Sequence, residues 1–178
     1  MSAADGKRLS LREIIVFGLI GAIMFVSKLA MEFLPNVHLL GVFTIALTLV
    51  WRKKALYPIY VYVLLNGVFA GFAMWWIPYL YLWTLLWAAA MLLPCDTVEK
   101  RRVLPCMLLC AAHGLLFGIL YAPAQALMFG LDFRGMIAWI IAGLPYDLVH
   151  GVSNFALGTL IIPLARVMEE QRLRSDRP

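Results

Sequence analysis

The stretch GLPYDLVHGVSNF, residues 143–155, places an acid, an imidazole and an amide inside a long apolar segment. Asp147, His150 and Asn154 occupy positions i, i+3 and i+7, so a helix would carry them as one stripe. Ionisable groups are costly at membrane depth, and they mark a candidate functional site wherever they occur. Two interpretations stay open. The stripe forms the wall of a polar binding pocket, or it forms hydrogen bonds that lock two helices together.

Other ionisable residues lie in or beside apolar segments. His113 falls near the middle of one of them, where it either bonds a neighbouring helix or contacts a ligand. Lys28 and Glu32 are four residues apart and share a helix face, so they could pair with each other. The alternative is a ligand clamp made by Lys28, Glu32 and His38, the last lying just after Pro35 and Asn36.

Aromatic residues are concentrated in WWIPYLYLW, residues 75–83. Trp75, Trp76 and Tyr79 suit the aromatic belt found at membrane interfaces. Trp83 lies deeper than a belt requires. Deep aromatic rings beside polar groups suit a planar or cationic heterocycle, which they would hold by stacking and cation–π contact.

Motifs for catalysis are missing from the sequence. There is no phosphate-binding glycine loop, no GxSxG and no HExxH. His150 and Ser153 lie one turn apart on the same helix, which is a poor geometry for a base and its nucleophile. The three cysteines, Cys95, Cys106 and Cys110, make neither a disulfide framework nor a zinc site. We therefore expect no enzyme, no metal and no cofactor in this chain.

Composition indicates that most of the chain is solvated by lipid. Hydrophobic residues make up 63% and charged residues 14%, whereas soluble domains are nearer half and a quarter. We predict an all-α integral membrane protein with a bundle of six transmembrane helices. The predicted segments are 13–33, 38–51, 55–74, 76–94, 103–128 and 136–165, with helix breaks at Pro123 and around Pro145. Residues 1–12 form an N-terminal arm, 13–165 the membrane domain and 166–178 a C-terminal tail.

Basic residues indicate the orientation. All of the 15 lysines and arginines except Lys28 and Arg134 fall at the termini or in the links after the second and fourth segments. With six crossings these positions share one side, and the positive-inside rule makes that side and both termini cytoplasmic. This explains the net charge of +5 without nucleic-acid binding, which we do not expect.

The whole chain, from about residue 10 to 168, resembles the substrate-binding S components of energy-coupling factor (ECF) vitamin transporters. The resemblance rests on six helices in a chain of this length, on "EFLPNVHLLGVF" after the first helix, and on "WIIAGLPYDLVHGVSNFALGTLIIPL". It implies a protein of the cytoplasmic membrane that captures a vitamin-like micronutrient from outside. The partners implied are a membrane coupling protein and two cytoplasmic ATPases, which would use the ATP.

The resemblance also implies positions for the site. Gly18 and Ala22 match the small residues, four apart, with which family members dock on the coupling protein, although glycine stands for the first alanine. Ligand contacts would come from the outer loops and the outer halves of helices four to six. That region holds Trp75, Trp76, Tyr79, Trp83, His113, Trp139, Tyr146, Asp147, His150 and Asn154.

The solute cannot be named from the sequence. Buried acids beside tryptophans and histidines favour a cationic or zwitterionic heterocycle. The main alternative function is a stand-alone secondary transporter or channel for a small polar solute. An enzyme or a membrane scaffold is a further alternative.

Overall fold

The computed structural model describes residues 9–94 and 96–175, and within these ranges the chain is helical, without β-strands. Lys7, Arg8, Cys95 and Arg177 lie outside the described residues, as do most of the predicted N-terminal arm and the end of the predicted tail. The described part contains the following eight α-helices, joined by turns and short 3-10 segments: α1 (Leu11–Ala30), α2 (Leu40–Trp51), α3 (Leu56–Ala70), α4 (Tyr79–Ala90), α5 (Val103–Leu115), α6 (Phe117–Phe129), α7 (Phe133–Leu157) and α8 (Ile161–Ser175).

Two of these helices begin at side-chain caps. The Ser10 hydroxyl accepts from the Glu13 N–H at 3.1 Å, and the Glu13 carboxylate accepts from the Ser10 N–H at 2.9 Å. Asp132 accepts from the Gly135 N–H at 2.7 Å and starts α7 in the same way. Such caps satisfy N–H groups that have no partner within the helix.

Helix α2 forms the centre of the bundle. All of its residues are buried, because α4, α5 and α8 pack around it and α1 and α7 touch it. A helix that is apolar all round belongs in the interior. Its 12 residues span only about 18 Å at 1.5 Å per residue, so α2 is shorter than the apolar layer of a bilayer.

The outside of the bundle is apolar. Helix α1 exposes Leu11, Ile14, Ile15, Leu19, Ile23 and Val26, and α3 and α7 expose similar residues. Within the described ranges, three helical stretches are long and apolar enough to cross a membrane: Leu11–Ala30, Val103–Phe129 and Phe133–Leu173. Such a surface is expected of a membrane protein, because apolar side chains are solvated by lipid and do not have to be buried inside the protein.

The six predicted apolar segments correspond to helical rods, with differences at their ends and breaks. The fifth segment is α5 followed by α6, with an interruption of the helix at Leu116, and Pro123, where a kink or re-entrant turn was expected, lies inside α6. The sixth is α7 followed by α8. Helix α7 continues through Pro145, so the break predicted there is wrong. The interruption falls instead at Gly158–Leu160, a 3-10 turn.

Glycines bring α5 close to α7 and to the 3-10 turn that follows it. A Cβ on Gly158 would lie 2.9 Å from Met107 Cα, and one on Gly114 would lie 2.9 Å from the His150 carbonyl oxygen. A Cβ on Gly151 would overlap the Leu115 side chain. Residues that lack a side chain therefore set the distance between the two helices, as in many membrane bundles.

Candidate functional site

Trp83 on α4 lies at the centre of a group of aromatic rings that come from five other parts of the chain. Its ring centroid is 6.1 Å from Tyr62 on α3, 6.0 Å from His38 in the loop before α2, and 5.6 Å from His113 on α5. Phe117 of α6 is 6.3 Å away. His150 of α7 closes the group, at 4.7 Å from His38 and 5.1 Å from Phe117. We call these six residues the Trp83 cluster.

All three histidines of the chain belong to this cluster. They come from sequence positions 38, 113 and 150, which the fold alone brings together. His113, Phe117 and Tyr121 follow one another at intervals of four residues, so they lie about one helical turn apart. The gathering of every imidazole at one point favours a common role over three unrelated ones.

Five polar atoms of the cluster are buried without a hydrogen-bond partner in the protein. They are His38 Nδ1, Tyr62 OH, Trp83 Nε1, His113 Nδ1 and His150 Nε2. Tyr62 is 0%, Trp83 and His150 are 2%, and His113 is 6% exposed. Most buried polar groups in proteins are paired, and an unpaired one costs about 1–3 kcal/mol. Five in one contiguous group therefore require an explanation.

The other nitrogen of His113 is engaged. His113 Nε2 lies 3.3 Å from the Leu82 carbonyl oxygen, which orients the ring and leaves Nδ1 facing the cluster. The tryptophans nearby differ from Trp83 in this respect. Trp76 Nε1 donates to the Val63 carbonyl at 2.8 Å, and Trp87 Nε1 donates to the Arg52 carbonyl at 3.0 Å.

The loop between α1 and α2 lies against α7 beside the cluster. Asn36 Nδ2 donates to the Tyr146 carbonyl at 3.4 Å, and Ser153 Oγ donates to the Asn36 carbonyl at 3.2 Å. Asn36 has a φ of 58°, a left-handed conformation that asparagine tolerates better than most residues. This turn carries the chain to His38 and so places the imidazole beside His150.

The three residues of the predicted stripe on α7 make two kinds of contact. The Gly118 N–H donates to both carboxylate oxygens of Asp147 at 3.1 Å, and Asn154 Nδ2 donates to the Cys110 carbonyl at 3.1 Å. We call these two interactions the α7 lock. Gly118 is the second residue of α6, so Asp147 caps that helix from α7, where a carboxylate is favoured. His150, between them, contacts the cluster.

A second aromatic group lies next to the first. The Trp75 ring is edge-on to Tyr79 at 5.8 Å, and Tyr79 reaches Trp83 at 6.1 Å. Tyr121 stacks on Trp139 at 5.8 Å and donates its hydroxyl to the Trp75 carbonyl at 3.1 Å. Trp75, Tyr79 and Trp139 are thus near the cluster and form its border on one side.

Several predicted ligand residues lie elsewhere. Trp76 is edge-on to Phe72 and hydrogen-bonded to α3. The Tyr146 side chain is exposed and contributes only its carbonyl to the loop contact. Lys28 and Glu32 form an ion pair at 2.8 Å, which is the structural alternative that the sequence left open.

The predicted docking pair lies on the open side of α1. A Cβ on Gly18 would meet no atom within 4 Å, whereas one on Gly21 would meet the Pro58 carbonyl oxygen at 2.9 Å. Gly21 therefore makes the contact of α1 with α3, and Gly18 leaves a shallow surface free. Ala22 is half-buried beside it.

The sequence reasoning missed two members of the cluster, Tyr62 and Phe117. A signal existed for Tyr62, since Asn66 lies one turn along α3 in an apolar segment and is also buried with an unpartnered Oδ1. Phe117 gave none, because phenylalanine is common in any apolar helix.

The side chains of the cluster are suited to binding a small molecule. Indole, phenol and imidazole groups can stack on a flat ring and exchange hydrogen bonds with its edge. Among the residues that the structure describes, no group of three or more histidine, cysteine, aspartate or glutamate side chains could hold a metal ion. No protein-family model, curated protein or solved structure matches the chain.

Proposed function

We propose that this chain is the solute-binding S component of an ECF-type importer, which captures a vitamin-like micronutrient outside the cell. The observation that carries the proposal is the Trp83 cluster, a buried group of rings with five unpartnered polar atoms. A purely structural core has no need of such atoms, because apolar rings of the same shape would avoid the cost of burying them.

The proposed topology has six crossings of the cytoplasmic membrane and both termini inside. The basic links at Arg52–Lys54 and Lys100–Arg102 would then lie in the cytoplasm, as the positive-inside rule favours. The loop that carries His38 would lie outside, together with Trp75 and Tyr79. A solute would therefore reach the cluster from the outer side, which is the direction that uptake requires.

Release would depend on partners. The chain has no phosphate-binding loop with which to use ATP, so a coupling protein and two ATPases would supply the work. The surface around Gly18 and Ala22 is our candidate for the docking face, since a Cβ on Gly18 would meet no other atom and the exposed side chains around it are apolar. An S component also accounts for a small bundle without a repeat.

Reconstitution tests the proposal. The chain is purified with a small affinity tag from its native membranes, and the copurifying proteins and any retained small molecule are identified by mass spectrometry. We expect a coupling protein, two ATPases and a retained solute, and we expect vesicles to accumulate that solute only with ATP on the ATPase side. Accumulation by the chain alone would instead support a stand-alone transporter. A chain that retains no small molecule and has no ATPase partner would contradict the proposal.

A further inference from the structure

The charge of the groups that line the Trp83 cluster limits the charge of the solute that could bind there. The hydrogen bonds and ring contacts of the cluster, in the described part of the chain, join imidazole, indole, phenol and phenyl rings and a backbone carbonyl. All of these groups can be uncharged. Their five unpartnered atoms are dipoles that donate or accept a hydrogen bond.

Two charged groups near the cluster make contacts of their own. Lys28, whose charge acts on His38, is paired with Glu32 at 2.8 Å. Asp147, one turn from His150, directs both oxygens to the Gly118 N–H. None of the six cluster side chains carries a fixed charge, so an ion brought among these rings would have no fixed opposite charge in direct contact with it. Burial of an ion without such a partner is far more costly than burial of a hydrogen-bonded neutral group.

The chemistry of the unpartnered atoms is mixed. Trp83 Nε1 can only donate, whereas Tyr62 OH and the imidazole nitrogens can donate or accept. They come from α3, α4, α5, α7 and the loop before α2, so they approach from several sides. A solute that satisfies them needs donors and acceptors around its edge and flat faces that stack on rings.

We propose, on the basis of the proposed function, that the Trp83 cluster binds an uncharged, planar, nitrogen-containing aromatic solute with both donors and acceptors on its edge. This narrows the cationic or zwitterionic class that the sequence favours. That class was inferred from buried acids beside tryptophans and histidines, and of these acids Asp147 directs its carboxylate to the start of α6.

A trio of small probes tests the charge requirement. Nicotinamide is uncharged and has a ring acceptor and an amide. Its ring-N-methylated cation has nearly the same shape. Benzamide is uncharged and lacks the ring acceptor. Each probe is titrated into the purified chain in detergent, with binding followed by saturation-transfer NMR. Tyr62→Phe serves as the site variant and Tyr60→Phe, whose hydroxyl bonds Leu80 and Thr84, as its control.

We expect nicotinamide to bind about tenfold or more tightly than its methylated cation, with benzamide between them. Tyr62→Phe should weaken nicotinamide severalfold and Tyr60→Phe should leave it unchanged. A cation that binds as tightly as nicotinamide, or more tightly, overturns the proposed solute class but leaves the binding function intact. Equal binding of nicotinamide by Tyr62→Phe and the wild type overturns the assignment of the cluster.

A third outcome is that none of the three probes binds. Native mass spectrometry of the chain purified from rich medium then tests the charge of whatever molecule the chain retains. A retained uncharged heteroaromatic molecule supports the inference, and a retained permanent ion overturns it. If no molecule is retained and no probe binds, the proposed function fails together with the inference.

Discussion

Helix α7 contributes to two regions, and the polar side chains of these regions differ in whether they have hydrogen-bond partners. In the α7 lock, the Asp147 carboxylate and the Asn154 Nδ2 group each have a backbone partner on α6 or α5, and Asn154 Oδ1 is the one buried side-chain atom of the lock without a partner. In the Trp83 cluster, His150 of the same helix faces rings whose polar atoms have none. Satisfied polar groups stabilise and orient helices, whereas unsatisfied ones are retained at a cost to stability. The comparison therefore separates residues that hold the bundle from residues available to a solute.

Gly118→Ala should produce the largest loss of stability. A Cβ at this position would overlap the Asp147 carboxylate, so the cap on α6 must move or break. We expect the free energy of unfolding to fall by about 2–3 kcal/mol, measured by SDS titration with circular dichroism. Gly143→Ala on α7 is the control, because its Cβ would meet nothing within 4 Å, and alanine there should be neutral or stabilising by up to about 1 kcal/mol. Similar losses in both variants would contradict the lock.

Asn154→Ala should follow in size. It removes the hydrogen bond to the Cys110 carbonyl and leaves that buried oxygen without its side-chain donor. We expect a loss of about 1–3 kcal/mol in unfolding free energy, with solute affinity unchanged in the folded protein. The same titration together with a binding assay measures both quantities. Full stability with lost affinity would move Asn154 from the lock to the binding site.

Lys28→Met separates an ion pair from a ligand clamp. The pair with Glu32 is partly solvated, and exposed pairs contribute about 0–1 kcal/mol. We expect a change in that range and an unaltered solute affinity by calorimetry. A marked loss of affinity without a loss of stability would restore the clamp.

Asp96 offers the smallest effect, and one that depends on pH. A hydrogen bond from Lys100 at 2.6 Å, helped by the charges of Arg102 and Lys100, lowers the pKa of the Asp96 carboxyl. Its contribution to stability is therefore present above the ordinary aspartate pKa and is lost as the pH falls through the lowered value. We expect Asp96→Asn to melt slightly below the wild type at pH near 7 and the difference to shrink as the pH falls below about 4. A difference that grows on acidification would have the wrong sign.

The helical class could be predicted because a lipid environment favours long apolar helices, and three helical stretches in the described ranges are long and apolar enough to cross a membrane. The boundaries of α2 were close, since charges and turn residues flank it. Proline was a poor guide to breaks. Pro145 lies inside α7, while the helix is interrupted at Leu116, a residue that does not favour helix ends.

The site could be predicted only in part. Every histidine was identified, because an ionisable group is rare in a span and has to be explained. The division of the α7 stripe could not be read from spacing, since it depends on the break before Gly118, which frees an N–H for Asp147. Tyr62 was missed because α3 carries several aromatic residues, and Asn66 was the one non-aromatic polar side chain that marked the buried face of this helix.

The central claim is that the unpartnered polar atoms of the cluster are kept for binding and that partnered polar atoms stabilise the bundle, and a matched pair of hydroxyl deletions tests it most directly. Tyr62 OH is buried and unpartnered, while Tyr81 OH donates to the Leu120 carbonyl at 2.8 Å. The unfolding free energy and the affinity for the retained solute are measured for both variants. We predict that Tyr62→Phe weakens binding and leaves stability equal or higher, and that Tyr81→Phe lowers stability by about 1 kcal/mol with binding intact. A Tyr62→Phe protein that is less stable and binds normally would contradict the account.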